Sequence, residues 1–377
     1  MNFILLQKDE NTKARAGILQ TDHGDVETPV FMPVGTQATV KTLSPRELSE
    51  SKVQMILGNT YHLYLRPGDQ LIREFGGLHH FMGWSGPILT DSGGYQVFSL
   101  QDLRTIENDG VCFQSHLDGS RHKFTPQRVL EIQQNLGSDI MMVLDECTDF
   151  PTTKDKALQS MQLSMEWAKQ SRDFYARTKP IYDHDQWLFG IVQGSIFPDL
   201  REQSARQLIE MQFPGYAIGG LAVGEPKDVM YSVTNLCTDL LPKEKPRYLM
   251  GVGMPEDILE SIQVGVDMFD CVIPTRNARN GTVFTWQGRL VIKAARFKHD
   301  QKPIDENCGC YTCQTFSRGY LRHLLNSNEI LGLRLATLHN IHFYMDLVAE
   351  ARKHILKNNY LSWKTKVITE LTKMIMN

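Results

Sequence analysis

The chain has 377 residues, 41% of them apolar and 22% charged, so one barrel-sized core plus an appendage is within reach and disulfide staples are not needed. A net charge of −3 excludes a molecule that holds nucleic acid through its overall field; any RNA contact has to come from a local patch. No run approaches the roughly 20 apolar residues that cross a bilayer, and the apolar start at 1–7 lacks the basic lead and length of a signal peptide, so the expected location is cytoplasmic, away from any membrane.

In chain order, short apolar runs occur at 29–34, 53–57, 87–90, 140–144, 187–192, 216–218, 247–250 and 268–272. Most end directly in polar or glycine-rich residues: Gly58-Asn59-Thr60, Asp91-Ser92-Gly93-Gly94, Asp145-Glu146-Cys147, Gln193-Gly194, Gly219-Gly220-Leu221 and Gly251-Val252-Gly253. Stretches with helical periodicity lie between them, at 126–136, 154–177, 198–211 and 255–264, the last with Pro255 in its first turn followed by Glu256 and Asp257. Eight strand-loop-helix units predict an α/β fold, a (β/α)₈ TIM barrel with its unusual residues on the catalytic face; an open doubly wound sheet is the competing arrangement. The rhythm breaks at 281–340, with a hairpin at 282–292 turning on Gln287-Gly288 and then a cysteine cluster. A helical stretch at 329–338 leads to His339, and an amphipathic helix at 341–358 reads as the barrel's last helix displaced by an insertion. The expected division is 1–280 for the barrel core with N-terminal strands, 281–340 for a metal-binding subdomain, and 341–377 for C-terminal helices packing back on the barrel.

Asp91, Asp145 and Asp270 each close a candidate strand. A lone aspartate there is often a helix cap, but a barrel brings all three to one face. Two carboxylates beside a glycosidic carbon can divide substitution between a nucleophile and a proton carrier. The backbone N–H groups of 91–95 offer a cradle for a base or anion. Tyr95 and Met250 suit the two faces of a purine slot, Asp145 suits the paired donors of guanine, and Gln193 and the Gly220 N–H suit its O6; each of these four side chains also has an ordinary core or capping reading. Between 276 and 302, Arg276, Arg279, Arg289, Lys293, Arg296, Lys298 and Lys302 face only Asp300, a formal +6 that reads as a phosphate-binding stretch or as a solvated face.

Seven cysteines are present, three of them as Cys308-x-Cys310-x-x-Cys313. With His339 they make a Cys₃His set typical of a closed structural zinc site, one Zn²⁺ per chain, with no position open for catalysis. Three buried free thiols are the alternative. Cys112, Cys147, Cys237 and Cys271 read as small buried hydrophobes.

These segments together resemble the bacterial tRNA-guanine transglycosylases over nearly the full length. The resemblance rests on Thr90-Asp91-Ser92-Gly93-Gly94-Tyr95-Gln96, Asp145-Glu146-Cys147, Val192-Gln193-Gly194, Gly219-Gly220-Leu221-Ala222-Val223-Gly224, Tyr248-Leu249-Met250-Gly251-Val252-Gly253, Phe269-Asp270-Cys271, the run from Pro274 to Gly281, and the Cys₃His set. It implies a pentosyltransferase of queuosine biosynthesis. Asp270 is then the nucleophile on ribose C1′ and Asp91 the proton acceptor. Asp91, Ser92, Gly93, Gly94, Tyr95, Asp145, Gln193, Gly220, Leu221 and Met250 form the base site. The RNA-contacting segments are Gly251, Val252, Gly253, Met254, Pro255, Glu256 and Asp257, and Thr275, Arg276, Asn277, Ala278 and Arg279. The implied substrates are tRNAs with a G-U-N anticodon (for Asp, Asn, His and Tyr) and the base preQ1, with guanine released; the implied assembly is a homodimer, with Phe316, Tyr320 and His323 as interface candidates. Archaeal members carry further C-terminal RNA-binding domains, for which this sequence offers no segment. A non-catalytic RNA-binding paralogue would be marked by loss of Asp91 or Asp270, and a zinc hydrolase by an open metal position.

Overall fold

The structure is a computed structural model that describes residues 2–98 and 104–372. Eight parallel strands close into a barrel in sequence order: Val30–Gly35, Ile56–Gly58, Ile88–Thr90, Ile140–Met142, Trp187–Val192, Tyr216–Ile218, Arg247–Leu249 and Met268–Cys271. The last strand pairs with the first through Met268 and Val30, and closure excludes the open doubly wound sheet. All eight are buried from end to end or all but one residue because helices cover their outer faces and barrel side chains their inner ones; the eight expected apolar runs all overlap observed strands. The expected helices appear as Pro126–Leu136, Lys154–Tyr175, Pro198–Glu210 and Pro255–Gln263. Thr125 and Thr153 cap the first two by accepting backbone N–H groups.

Three features differ from the sequence reading or extend it. A three-stranded antiparallel sheet, Arg104–Glu107, Gly110–Gln114 and Arg121–Phe124, interrupts the third strand-helix unit; its strands are short and half exposed, so they leave little apolar signal. The hairpin reverses at Trp286-Gln287, one residue earlier than expected, because Gly288 is already paired with Thr285 and the Thr285 hydroxyl donates to the Gly288 carbonyl at 2.8 Å. Finally, the stretches on either side of His339 form one 27-residue helix, Ile330–Leu356. Residues 335–341 within it are all buried, which removes the one-sided pattern that marks a surface helix.

That long helix ties the C-terminal part to the barrel. Tyr344 donates to the Gly253 carbonyl, and Arg352 donates to the carbonyls of Gly17 at 2.8 Å and Thr28 at 2.6 Å. The final helix, Tyr360–Leu371, donates from the Tyr360 hydroxyl to Leu259 O at 2.7 Å. Most apolar residues from Ala278 to Ala336 form their own cluster, separate from the barrel core, which takes in Phe284 and continues from Leu338.

An antiparallel sheet, Asn2–Lys8, Arg15–Thr21 and Gly24–Thr28, precedes the barrel. It is anchored by Arg15, whose Nε donates to Asp267 Oδ1 at 2.8 Å and whose Nη2 reaches Asp267 Oδ2. Both side chains are buried, and Asp267 also accepts the Arg247 N–H at 2.7 Å. Breaking a buried, hydrogen-bonded pair from one side costs roughly 3–5 kcal/mol. Asp267→Ala is therefore expected to lower the melting temperature by several degrees; unchanged thermal unfolding would refute the anchor role.

Candidate active site

The loops that leave the carboxyl ends of the strands surround one cavity of about 530 Å³, lined by Asp91, Asp145 and Asp270 together with Ser92, Gly93, Tyr95, Gly220, Leu221, Met250, Gly251, Thr275, Arg276 and Arg279. Both carboxylates expected to share a sugar thus open into the same space.

Asp91 follows the third strand, and its carboxylate is clamped from four directions. Asn59 Nδ2 donates to Oδ2 at 2.5 Å and Gln96 Nε2 at 3.0 Å; the backbone N–H groups of Thr60 and Gly93 donate to Oδ1 at 2.8 and 3.2 Å. Burial pushes its pKa up to about 6; these donors hold it down, while the negative charge of Asp270 raises it further. The two acids therefore sense each other.

Asp270 ends the eighth strand. Burial raises its pKa, opposed by the Tyr248 hydroxyl at 2.5 Å and the Gly251 N–H at 2.8 Å. Both donors reach Oδ1, so Oδ2 keeps its lone pairs for the cavity. Burial and the Asp270 charge keep the Tyr248 phenol protonated, as a permanent donor.

Asp145, at the end of the fourth strand's run, accepts Ser92 Oγ on Oδ1 at 2.9 Å and Gln193 Nε2 on Oδ2 at 2.7 Å. Burial raises its pKa while these two donors lower it. They fix the plane of the carboxylate, and each oxygen retains a lone pair for a second donor.

Two expectations are corrected here. The backbone N–H groups of Gly93 and Gly94 do not form an open cradle: they donate to Asp91 Oδ1 and Ser92 Oγ. These side chains satisfy the loop's own backbone, as short polar residues do in tight turns. Gln193 does not line the cavity but stands behind Asp145, close against the sixth-strand loop. A Cβ at Gly220, whose φ is 64°, would come within 2.5 Å of Gln193 Oε1, so this loop needs glycine both for its conformation and for the approach.

Tyr95 is 56% exposed at the rim, and Met250 lies partly buried. Of the two stretches taken as RNA-contacting, Gly251, Thr275, Arg276 and Arg279 line the cavity. Val252, Gly253, Pro255 and Ala278 are buried, while Glu256 and Asp257 are engaged by Lys227 at 2.9 and 2.7 Å. Met254 and Asn277 are intermediate. Arg279 Nη1 is buried without a hydrogen-bond partner among the described residues. The basic stretch is not one surface: Arg296 lines a separate hollow with Asp300, Asp305 and Glu306, and Lys302 pairs with Glu306 at 3.3 Å.

Several positioning groups went unread. Asn59, Gln96 and Tyr248 sit in motifs whose glycines and aspartates drew attention. Arg201, wholly buried, donates to the carbonyls of Ser195, Val192 and Gly219 at 2.7, 2.8 and 2.7 Å and so joins the fifth and sixth strand loops. Glu225 accepts the backbone N–H groups of Ala222 at 2.5 Å and Val223 at 3.0 Å. Cys147 and Cys271 have thiols pushed up to about 12, by burial and by the adjacent Asp145 and Asp270, so neither offers a thiolate.

Away from the cavity, Cys308, Cys310, Cys313 and His339 are all buried, and their ligand atoms lie within 4.8 Å of one another. The three sulfurs stand 3.7, 3.6 and 3.3 Å from His339 Nδ1. On the other side of the ring Nε2 faces the Phe284 carbonyl at 2.8 Å, which makes Nε2 the protonated nitrogen and leaves the Nδ1 lone pair toward the sulfurs. This donor set fits one tetrahedral metal ion with no coordination position left over.

The sequence model of the family described as queuine tRNA-ribosyltransferase matches residues 9–373. The chain is 55% identical to the queuine tRNA-ribosyltransferase of Caldanaerobacter subterraneus subsp. tengcongensis over 98% of its length and 97% of that protein. It is 55% identical to that of Pelotomaculum thermopropionicum, covering 97% of each chain, and 56% identical to that of Lawsonia intracellularis, covering 94% of each.

Proposed function

The chain belongs to the queuine tRNA-ribosyltransferase family, a group of tRNA-modifying pentosyltransferases; on that premise we propose that it replaces the wobble guanine of tRNAs with a G-U-N anticodon by preQ1 through a covalent aspartyl-ribosyl intermediate. The observation that carries this reading is the opening of Asp91 and Asp270 into one cavity beside Asp145.

In this mechanism the anticodon base leaves its stack and enters between Tyr95 and Met250. Asp145, held planar by Ser92 and Gln193, accepts the two donors on the guanine edge, and Leu221 and Gly220 close that side. Oδ2 of Asp270 attacks C1′; the bond to the guanine nitrogen breaks, and Asp91 supplies the proton that the departing base takes up. The incoming base loses its proton to the Asp91 carboxylate and attacks C1′ from the vacated face, which frees Asp270. Two inversions at one carbon retain the β configuration, and ping-pong kinetics follow. Arg276 and Arg279 hold flanking phosphates. The Cys₃His group holds one Zn²⁺, which cross-links the C-terminal module. The stacked, partly exposed aromatic pair of Phe316 and Tyr320, with ring centroids 5.5 Å apart, suits a homodimer contact.

The test is incorporation of radiolabelled guanine into unmodified tRNA-Tyr, with preQ1 and queuine as competitors. The parent is expected to incorporate guanine and preQ1 to compete more strongly than queuine; absence of any incorporation rejects the reading. Asp91→Ala should bind tRNA but lose roughly 10²–10⁴-fold in turnover, the usual worth of a positioned proton carrier; undiminished turnover removes that role.

A pH dependence follows with a definite sign. Asp91 must be ionised to accept a proton, and its pKa is raised to about 6. kcat/KM for the incoming base, the half-reaction in which Asp91 accepts the proton, is expected to fall about tenfold per pH unit below pH 6. A profile flat to pH 5 contradicts this.

A further inference from the structure

At the amino-terminal end of the barrel, opposite the cavity, His23, His79 and His184 each bring a ring nitrogen within 4.8 Å of the other two. They arrive from segments far apart in sequence: the turn joining the second and third N-terminal strands, the helix Leu78–Met82, and the approach to the fifth barrel strand. Asp139, fully buried just before the fourth barrel strand, underlies them. Its Oδ1 is 2.7 Å from His23 Nδ1, and its Oδ2 accepts the Ile88 N–H at 2.8 Å. His184 Nε2 faces the Gly137 carbonyl at 3.0 Å. For His23 and His184, an oxygen on one ring nitrogen makes that nitrogen the N–H and leaves the other with its lone pair, the outer arrangement that metal-binding imidazoles use.

His79 is 8% exposed, and its Nε2 lies 3.3 Å from Asp139 Oδ2, so the one carboxylate faces both His23 and His79. A buried carboxylate shared by two imidazoles accounts for His23 and His79. It does not explain why His184, held by the Gly137 carbonyl, brings a third ring nitrogen into the same cluster.

We propose that His23, His79 and His184 form a second metal site, for a borderline divalent ion such as Zn²⁺, Co²⁺ or Ni²⁺, with the buried Asp139 carboxylate balancing its charge. Imidazole donors favour these ions over Mg²⁺ or Ca²⁺. The rings of His23 and His79 are stacked, with centroids 3.6 Å apart and planes 10° from parallel, so coordination swings the half-exposed His23 ring out of the stack. The ion fastens the N-terminal sheet to the barrel floor, remote from base exchange.

The probe is Co²⁺ titrated into full-length, zinc-loaded protein, followed by calorimetry and visible absorption, with retained zinc measured by elemental analysis. The expected result is one equivalent of Co²⁺ bound while zinc stays in the thiolate site, visible d–d bands without sulfur-to-metal charge transfer, and a higher melting temperature. His79→Asn and His184→Gln should each weaken binding at least tenfold; since His79 is buried, His184→Gln on its half-exposed loop decides the matter if the other variant fails to fold. No equivalent beyond the thiolate site, a second equivalent with thiolate bands, or equal binding by His184→Gln overturns the proposal.

Discussion

Asp270→Asn is expected to bind tRNA as the parent does and to exchange guanine roughly 10³-fold or more slowly, the scale on which covalent catalysis fails when its nucleophile is removed. The substitution is conservative in shape. Oδ1 remains a carbonyl oxygen and still accepts the Tyr248 hydroxyl and the Gly251 N–H, so the loop between the seventh and eighth strands has no reason to move. What disappears is the anionic Oδ2, replaced by an amide nitrogen with no usable lone pair. Binding and chemistry should therefore separate: Kd for tRNA unchanged, single-turnover exchange lost, and no protein–tRNA adduct surviving a denaturing gel. Asp91→Asn supplies the contrast, because it removes the proton carrier and leaves the nucleophile in place. An adduct that still forms in Asp270→Asn would falsify the covalent assignment and require another attacking group. Cys271 is a poor replacement, since its thiol stays protonated.

The frame of this site was readable from the chain because of a chemical asymmetry. Strands buried on both faces are apolar throughout, so the polar residue that ends each one stands out, as Asp91, Asp145 and Asp270 do. Metal ligands announce themselves in the same way, because three cysteines in six positions have few other uses. What stayed hidden was every residue whose work is to aim another. Asn59 and Gln96 on Asp91, Tyr248 on Asp270, and Gln193 and Ser92 on Asp145 are ordinary polar residues whose partners lie up to 53 positions away, and all of these contacts but that of Gln96 join separate strand ends of the barrel. Arg201 is the clearest case: in sequence it is one charge on an amphipathic helix, yet folded it is buried and satisfied entirely by carbonyls. The basic stretch failed in the opposite direction. Proximity in sequence suggested one patch, but the chain turns after Arg279 into the module that carries the Cys₃His group, leaving two arginines at the cavity and sending the rest elsewhere. The unbroken helix through His339 was missed because burial on all sides erases periodicity.

Cys310→Ser should have the largest effect on stability, and it should reach the active site as well. The module between Ala278 and Ala336 has a small apolar core of its own, and cores of that size rarely stand without a metal or other cross-link. Structural zinc contributes on the order of 10 kcal/mol of folding free energy in small zinc-dependent units, so losing one thiolate removes more than the module's own packing replaces. The damage passes along one helix. Next to His339, Asn340 donates to the carbonyls of Pro274 at 2.9 Å and Thr282 at 3.2 Å and accepts the Phe284 N–H at 3.1 Å. Pro274, four residues past Asp270, lies in the first turn of the helix Ile273–Arg279, which presents Thr275, Arg276 and Arg279 to the cavity. A loosened His339 therefore loosens the two arginines proposed to hold phosphate, and KM for tRNA should rise before kcat falls. Elemental analysis is expected to show less than one metal ion per chain, limited proteolysis to cut within 281–330, and the melting curve to gain an early transition. A Cys310→Ser protein that keeps a full equivalent of metal, or melts like the parent, would remove the cross-link from this account and leave the apolar cluster to hold the module alone.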